Sequence, residues 1–523
     1  MSTYDYIVVG AGSAGCLLAN RLTASGQFSV LLLEAGGSDK QLFVKAPAAF
    51  SKLFKTKNDW AYHSEPIPAA DGRRIFVPRG KVLGGSSSIN AMLYIRGNRY
   101  DYDHDWASVA PGWSYADVLP FFKRSEHNIR LGGNAFHGDS GELTVSELTE
   151  YNPMTDAFLT ACGAAGYTAN NDFNGVEQIG YGPYQVTQRG GSRCSAARAF
   201  LVPAMSRSNL TVLKNVHVER VVLSGKTATG VTYQKGGKQY QVSANREVIL
   251  SAGAINSPQI LMLSGIGDQA QLAEHGIKTA HHLPGVGQNL IDHPFFAINL
   301  KTNFRHTLDT AETLPNLLKF LFFGKGPFTS TVAEANLFLK SDESLPAPDL
   351  QFALAAAYFV DHGFVRPKGN GFTIGACLIA PKSVGQVTLR SANPTDAPAI
   401  QPNLLAIESD MNALVSGFRT CQKLLEQPAL SHYISGLYAP DRPLQTDADI
   451  RAYIRSCVEA LYHPVGTCRM GTDDNAVTDP QLRVHGIANL RVVDASAMPN
   501  ITRGNTNAPT IMIAERAAEF ILS

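Results

Sequence analysis

The first 34 residues constrain this chain more than any other stretch. Tyr4-Asp-Tyr-Ile-Val-Val9 runs into Gly10-Ala-Gly12-Ser13-Ala14-Gly15, and Phe28-Ser-Val-Leu-Leu-Leu-Glu34 follows after a helix-length interval. The pattern predicts strand, glycine turn, helix, strand and acid, which opens a doubly wound α/β unit. Gly10 permits the tight turn, Gly12 lets backbone N–H groups approach a pyrophosphate, and Gly15 allows close packing of helix on strand. Glu34, followed by Ala35, stands at a strand end where it accepts from an adenosine ribose hydroxyl. With 46 glycines in the chain, a glycine-rich loop alone would say little; the acid at the end of the second strand makes this a dinucleotide site.

At 523 residues the chain exceeds what one hydrophobic core usually supports, so two domains are expected. The net charge of +1 offers no basic field for a polyanion, and nucleic acid is excluded as a partner. The seven cysteines are odd in number and widely spaced, with no CxxC pair for a metal or redox disulfide, so no metal is expected and a reducing compartment fits. Met1-Ser-Thr enters the first strand without a charged leader, and no apolar run is long enough to span a bilayer. The expectation is a cytoplasmic protein, with peripheral contact at the inner membrane as an option. The apolar segment Leu314-Pro-Asn-Leu-Leu-Lys-Phe-Leu-Phe-Phe323 could touch a membrane or a partner subunit, but a buried helix is the commoner meaning of such a run. Oligomeric state is not readable.

Nucleotide-type αβ signals recur in the middle and at the end. Glu247-Val-Ile-Leu250 leads into Ser251-Ala-Gly-Ala-Ile-Asn-Ser-Pro258, predicting a helix capped at Asn256 or Ser257 with Pro258 at its first position. Leu490-Arg-Val-Val-Asp494 leads through a loop to a helix starting near Pro509. The cofactor domain is therefore discontinuous, over residues 1–150, 200–294 and 456–523, and residues 151–199 and 295–455 form a substrate domain laid over it. The expected architecture is a Rossmann-type α/β domain with an α+β domain built on an antiparallel sheet. Asp494, next to Ala495, sits at the carboxyl end of a strand, where open α/β sheets bind ligands; it can accept from ribose or ribityl hydroxyls, or simply cap its own strand end.

Arg79-Gly-Lys-Val-Leu-Gly-Gly-Ser-Ser-Ser-Ile-Asn-Ala-Met-Leu-Tyr-Ile-Arg-Gly97 by itself could be a capped helix start. From Gly80 to Gly97, however, it resembles the first signature of the glucose–methanol–choline oxidoreductases. Gly253-Ala-Ile-Asn-Ser-Pro-Gln-Ile-Leu-Met-Leu-Ser-Gly-Ile-Gly267 is similar to their second. Pro284 to Pro294, Tyr462-His-Pro-Val-Gly-Thr-Cys-Arg-Met-Gly471 and Asn505-Thr-Asn-Ala-Pro-Thr-Ile-Met-Ile513 are further landmarks in the same order.

The resemblance implies one FAD per chain, with the adenosine half on the Gly10 to Glu34 unit and the isoalloxazine at the domain junction. It implies that Val82, Gly85, Asn90, Ala91, Met92 and Leu93 lie along the flavin and Val218 beside the adenine. Members with covalent flavin carry histidine before the signature asparagine; Ile89 occupies that place here and has no nucleophilic atom, so non-covalent FAD is expected. By the same resemblance His463 is the base that takes the hydroxyl proton. Asn507 is implied as donor to the substrate oxygen, or else it only caps the terminal helix. That helix, beginning near Pro509 and Thr510, turns its positive end toward the flavin. His293 shares a His-Pro dipeptide with His463 and is a weaker candidate base, while His137 and His485 are expected in solvent.

Many phenylalanines and few charges in the substrate domain argue for an apolar or moderately polar primary alcohol over sugars or choline, whose cation would need an aromatic cage or carboxylate. The implied reaction is oxidation to the aldehyde by hydride transfer to flavin N5, with electrons passed to a quinone or other carrier. A choline or sorbose dehydrogenase, an oxygen-using alcohol oxidase and a non-redox FAD-containing hydroxynitrile lyase are the alternatives.

Overall fold

The structure, a computed structural model, describes residues 2–523 and holds two seven-stranded sheets. In the first, the strands run Leu210–Lys214, Val30–Glu34, Thr3–Val9, Lys238–Leu250, with Leu490–Val492 paired beyond Lys238–Leu250; all these contacts are parallel. The strands are apolar on both faces because both are covered. Tyr6, Val8, Val30, Leu32 and Ile249 pack toward the helices Ser13–Thr23, Tyr115–Ser125 and Asn507–Leu522. Ile7, Val9, Leu31, Leu33, Val248 and Leu250 pack toward the helix Gly253–Leu263. Two-sided burial is what a parallel sheet demands. The long strand Lys238–Leu250 also turns back at Gly236-Gly237, both at positive φ, to pair antiparallel with Thr227–Lys235.

The second sheet is antiparallel throughout, in the order Gly436–Ala439, Pro294–Thr302, Asn370–Leu378, Leu350–Ala355, Ala333–Leu339, Gly180–Pro183, with Glu459–Ala460 also on Pro294–Thr302. Its residues alternate by face. Phe372, Ile374, Ala376, Leu350, Phe352 and Leu354 enter a core under the helices Pro153–Ala164 and Glu408–Leu425. Thr373, Gly375, Cys377, Gln351, Ala353 and Ala355, one residue out of phase, line a cavity between the two sheets. The hairpin of Gln386–Thr388 with Ala399–Gln401 packs on Ile255 and Leu290, beside the parallel sheet.

Three expectations are corrected. The helix after Leu250 starts at Gly253, with Ala252 as its cap, and not near Asn256. A remote carboxylate starts it: Asp494 accepts from the Gly253 amide at 2.8 Å and from the Ser257 hydroxyl at 2.6 Å. Pro258 thus lies inside the helix, where it cannot donate to the Ala254 carbonyl; the Thr467 hydroxyl donates there instead, at 2.6 Å. His137 is fully buried, not in solvent, its two nitrogens 3.0 Å from Glu126 and 3.1 Å from Asp172. Burial alone would lower its pKa, but the hydrogen bonds to Asp172 and Glu126 outweigh this and hold it above the usual histidine value. His485 is half-buried against the Gly471 carbonyl. The helix Leu314–Phe323 lies on the surface with only Phe320 buried.

Thr467→Val keeps the shape of the side chain and leaves the Ala254 carbonyl without its donor. We expect a loss of about 1–3 kcal/mol in denaturant unfolding of the FAD-loaded protein; an unchanged midpoint would show that the proline-interrupted turn needs no outside donor.

Candidate active site

The carboxyl ends of the parallel strands open into a cavity of about 340 Å³, roofed by the out-of-phase face of the antiparallel sheet. Gly10, Glu34, Ser251 and Asp494 each follow or end a parallel strand and line it, which is where open α/β sheets take ligands. Glu34 accepts the Ala11 amide at 2.8 Å and the Gly36 amide at 2.7 Å. Burial pushes its pKa up to about 7 against those two hydrogen bonds. Asp494, held by Gly253, Ser257 and Ser496, is also raised by burial.

Gly12, Ser13, Ala14, Ala35, Gly85, Asn90, Ala91, Met92, Leu93, Val218, Ala495 and Thr510 line the same cavity, together with His463 and Asn507. Gly15, Val82 and Pro509 do not reach it. Gly15 lies beneath the turn, where a Cβ would stand 1.9 Å from the Gly10 carbonyl oxygen. Val82 is fully buried in a cluster with Phe54 and Phe76, and Pro509 is buried in the first turn of the terminal helix. Gly12 differs from Gly15: a Cβ there would meet only the Ser251 carbonyl, at 3.8 Å.

Met92, at φ 61°, turns the Asn90 to Leu93 segment along the cavity. Arg193 holds that segment from behind, donating to the carbonyls of Val44 and Asn90 at 2.9 and 2.6 Å and to the Asn90 side chain at 2.7 Å. No carboxylate pairs with it, and burial alone pulls its pKa down to about 9, which leaves it charged at neutral pH.

At the other end two His-Pro segments run side by side, Ile291 bridging antiparallel to Val465 and Pro294 to Ala460. One oxygen of Asp292 accepts the backbone amides of both His293 and His463, each at 2.8 Å. The imidazoles meet with Nδ1 to Nδ1 at 3.0 Å. Burial first and the Arg79 charge second pull His463 down to about 3; burial and His463 hold His293 well below its usual value. Burial pushes Asp292 up to about 7, opposed by the two amides and Arg79.

The carboxamide that reaches His463 is Asn505. Asn505 Nδ2 lies 3.2 Å from His463 Nε2. Asn507 also lines the cavity, but its Oδ1 accepts the Ser13 hydroxyl at 2.7 Å, tying the terminal helix to the first one.

Two GMC oxidoreductase family models match the chain, over residues 4–295 and 381–514. The alcohol dehydrogenase (acceptor) of Pseudomonas putida is 44% identical over 99% of this chain and 96% of its own length. Human mitochondrial choline dehydrogenase is 44% identical over 99% and 89%. The crystal structure of pyridoxine 4-oxidase from Mesorbium loti superposes with a TM-score of 0.90 at 30% identity, covering 98% of each chain. The chain belongs to the GMC oxidoreductase family.

GMC oxidoreductases bind FAD, and the cavity of this GMC oxidoreductase fits it on its own terms. The amino-terminal end of the helix Ser13–Thr23 opens into the cavity at Gly12, with space for a close phosphate. Ser251 Oγ and Asn505 Oδ1 are buried without a partner, on residues that line the cavity. The glycines and strand-end acids were legible in the sequence. Trp60, stacked on Tyr62 and lining the cavity beside Val218 and His217, was not, because no local pattern links it to them. Nor was Arg193, whose targets lie about a hundred residues away.

Gly12→Ala is expected to fold normally and purify with little FAD. Gly15→Ala collides with backbone and is expected to be insoluble or destabilised by more than about 3 kcal/mol. Visible flavin absorbance and denaturant midpoints separate the two; a Gly12→Ala protein that keeps its full flavin complement would remove the phosphate from this turn.

Proposed function

We propose that this GMC oxidoreductase oxidises an uncharged, apolar primary alcohol to the aldehyde, with non-covalently bound FAD, and passes the electrons to a quinone or similar carrier. The observation that carries the reading is the His463 imidazole. It is neutral, its Nδ1 is engaged by His293, and its Nε2 meets only a carboxamide beside the cavity.

Two δ nitrogens 3.0 Å apart hold one proton between them. With that proton on His463 Nδ1, donated to His293 Nδ1, His463 Nε2 keeps a free lone pair. In the resting site the Asn505 N–H points at that lone pair. An arriving hydroxyl takes its place and gives its proton to Nε2, while the Asn505 amide donates to the oxygen as negative charge develops. Bound FAD supplies the acceptor for the α-hydrogen, which leaves as hydride. Thr506, Asn507 and Thr510 bring the amino-terminal end of the helix Asn507–Leu522 to the cavity, where its dipole favours negative charge. His293 is a positioning residue, and Asp292 fixes both histidines through their backbones.

The wall beyond His463 supports an uncharged substrate. Phe50, Phe54, Phe295, Phe359 and Leu461 line it, and the only cavity carboxylates, Glu34 and Asp494, belong to the parallel-strand ends. A quaternary ammonium would find no carboxylate on this part of the cavity wall. The relatives named for alcohol and for choline oxidation are equally similar, so the preference for an uncharged alcohol rests on this wall.

His463→Ala should lower kcat by about 10²–10⁴-fold with FAD retained. Asn505→Ala should cost about 10²-fold and Asn507→Ala less than about tenfold; the reverse order would move the substrate oxygen to Asn507. Since His463 is held neutral, kcat/KM should fall only on the acid side, with an apparent pKa below the usual histidine value of about 6.5; a limb above pH ~7 would identify a different base. Aliphatic primary alcohols should bleach the flavin anaerobically, and a soluble quinone should reoxidise it faster than oxygen. Bleaching by choline alone would overturn the substrate class, and no bleaching by any alcohol would leave the lyase reading.

A further inference from the structure

The helix Leu314–Phe323 is apolar on nearly every side yet lies on the surface. Leu314 is 68% exposed, Phe322 75% and Phe323 74%, while Leu318 and Leu321 are also open to solvent. Its one buried side chain, Phe320, packs on Ala46 and Ala49 with Phe328. Leu42 and Phe43, exposed on the neighbouring turn Leu42–Lys45, extend the patch. The Lys52 ammonium joins the two pieces, lying 5.3 Å from the Phe43 ring centre and 2.5 Å from Glu312, just before the helix. Isolated exposed leucines need no explanation, but a contiguous patch of this size on one protruding helix marks a contact surface.

Its rim is basic. Lys45, Lys52, Lys319, Lys325 and Arg366 surround or flank the patch, against Glu312, which takes Lys52 and Arg366, and Glu150, which takes Lys319. The whole chain carries only +1, so the surplus is local. A second copy of this chain would bring two basic rims together, which charge disfavours, whereas an anionic bilayer complements the rim and buries the apolar face. At ten residues the helix is about 15 Å long, too short to span and suited to lying in the headgroup boundary; no helix among the described residues is long and apolar enough to cross a membrane.

We propose that the helix Leu314–Phe323, with Leu42 and Phe43, docks this protein on the surface of an anionic phospholipid bilayer. The patch rests on segments that continue into the cavity wall. The turn Pro47–Leu53 carries Phe50 into the cavity, and Thr331 and Val332, a few residues after the helix, line it as well. Docking therefore sets that wall of the cavity against the membrane. The binding step does not depend on the proposed reaction.

The FAD-loaded protein is tested by co-sedimentation with phosphatidylcholine vesicles, with and without phosphatidylglycerol, and by sedimentation velocity in their absence. Binding is expected to phosphatidylglycerol vesicles and to weaken with salt. The combined variant Leu321→Ser, Phe322→Ser, Phe323→Ser should bind about tenfold more weakly or less, keeping its flavin and its turnover with a soluble acceptor. Lys319→Gln with Lys325→Gln should reduce the preference for phosphatidylglycerol. Absence of wild-type binding, or binding unchanged in the triple variant, overturns the proposal. So does a wild-type dimer that the triple variant converts to monomer, since a second copy would then be the occupant.

Discussion

One oxygen of Asp292, accepting the amides of His293 and His463, is the contact on which the candidate chemistry depends. It joins two His-Pro segments 170 residues apart in the chain and holds the imidazoles nearly perpendicular, with their Nδ1 atoms 3.0 Å apart. A buried carboxyl is costly, and burial raises this one; the two N–H donors and the nearby Arg79 offset that cost. Without the clamp, the separation of the two rings would not be defined.

The rest of the site is divided between two sheets that meet at the cavity. The parallel sheet contributes strand ends, glycines and a helix amino terminus, the features that hold a dinucleotide. The antiparallel sheet contributes every second residue of its strands as a roof, mostly small side chains with Gln351 among them. Asp494 links the halves of the nucleotide domain, capping the helix Gly253–Leu263 while facing the cavity. It also caps the turn that follows its own strand, accepting the Ser496 amide at 2.8 Å. Arg193 performs a similar service for the Asn90 segment, held by neutral carbonyl dipoles and with no carboxylate near.

Much of the fold was legible because its signals are local. Apolar runs with Gly-x-Gly-x-x-Gly and a terminal acid predict a βαβ unit wherever they stand, and Gly236-Gly237 predicts a hairpin. The errors arose where a distant group supplied what the local sequence lacked. Thr467 let Pro258 enter a helix, and Glu126 and Asp172 drew His137 inside. The helix Leu314–Phe323 shows the converse: its composition predicts burial, but among the described residues no element covers its outer face.

The sequence by itself determined the parallel nucleotide-binding core and the discontinuous order of its strands, because periodicity, turn residues and motif order act over short spans. Only the tertiary structure decided which carboxamide faces His463, which imidazole lies against it and which apolar helix stays exposed. Those outcomes depend on distances between residues far apart in the chain, and side-chain hydrogen bonds act over about 3 Å, a scale that sequence spacing does not specify.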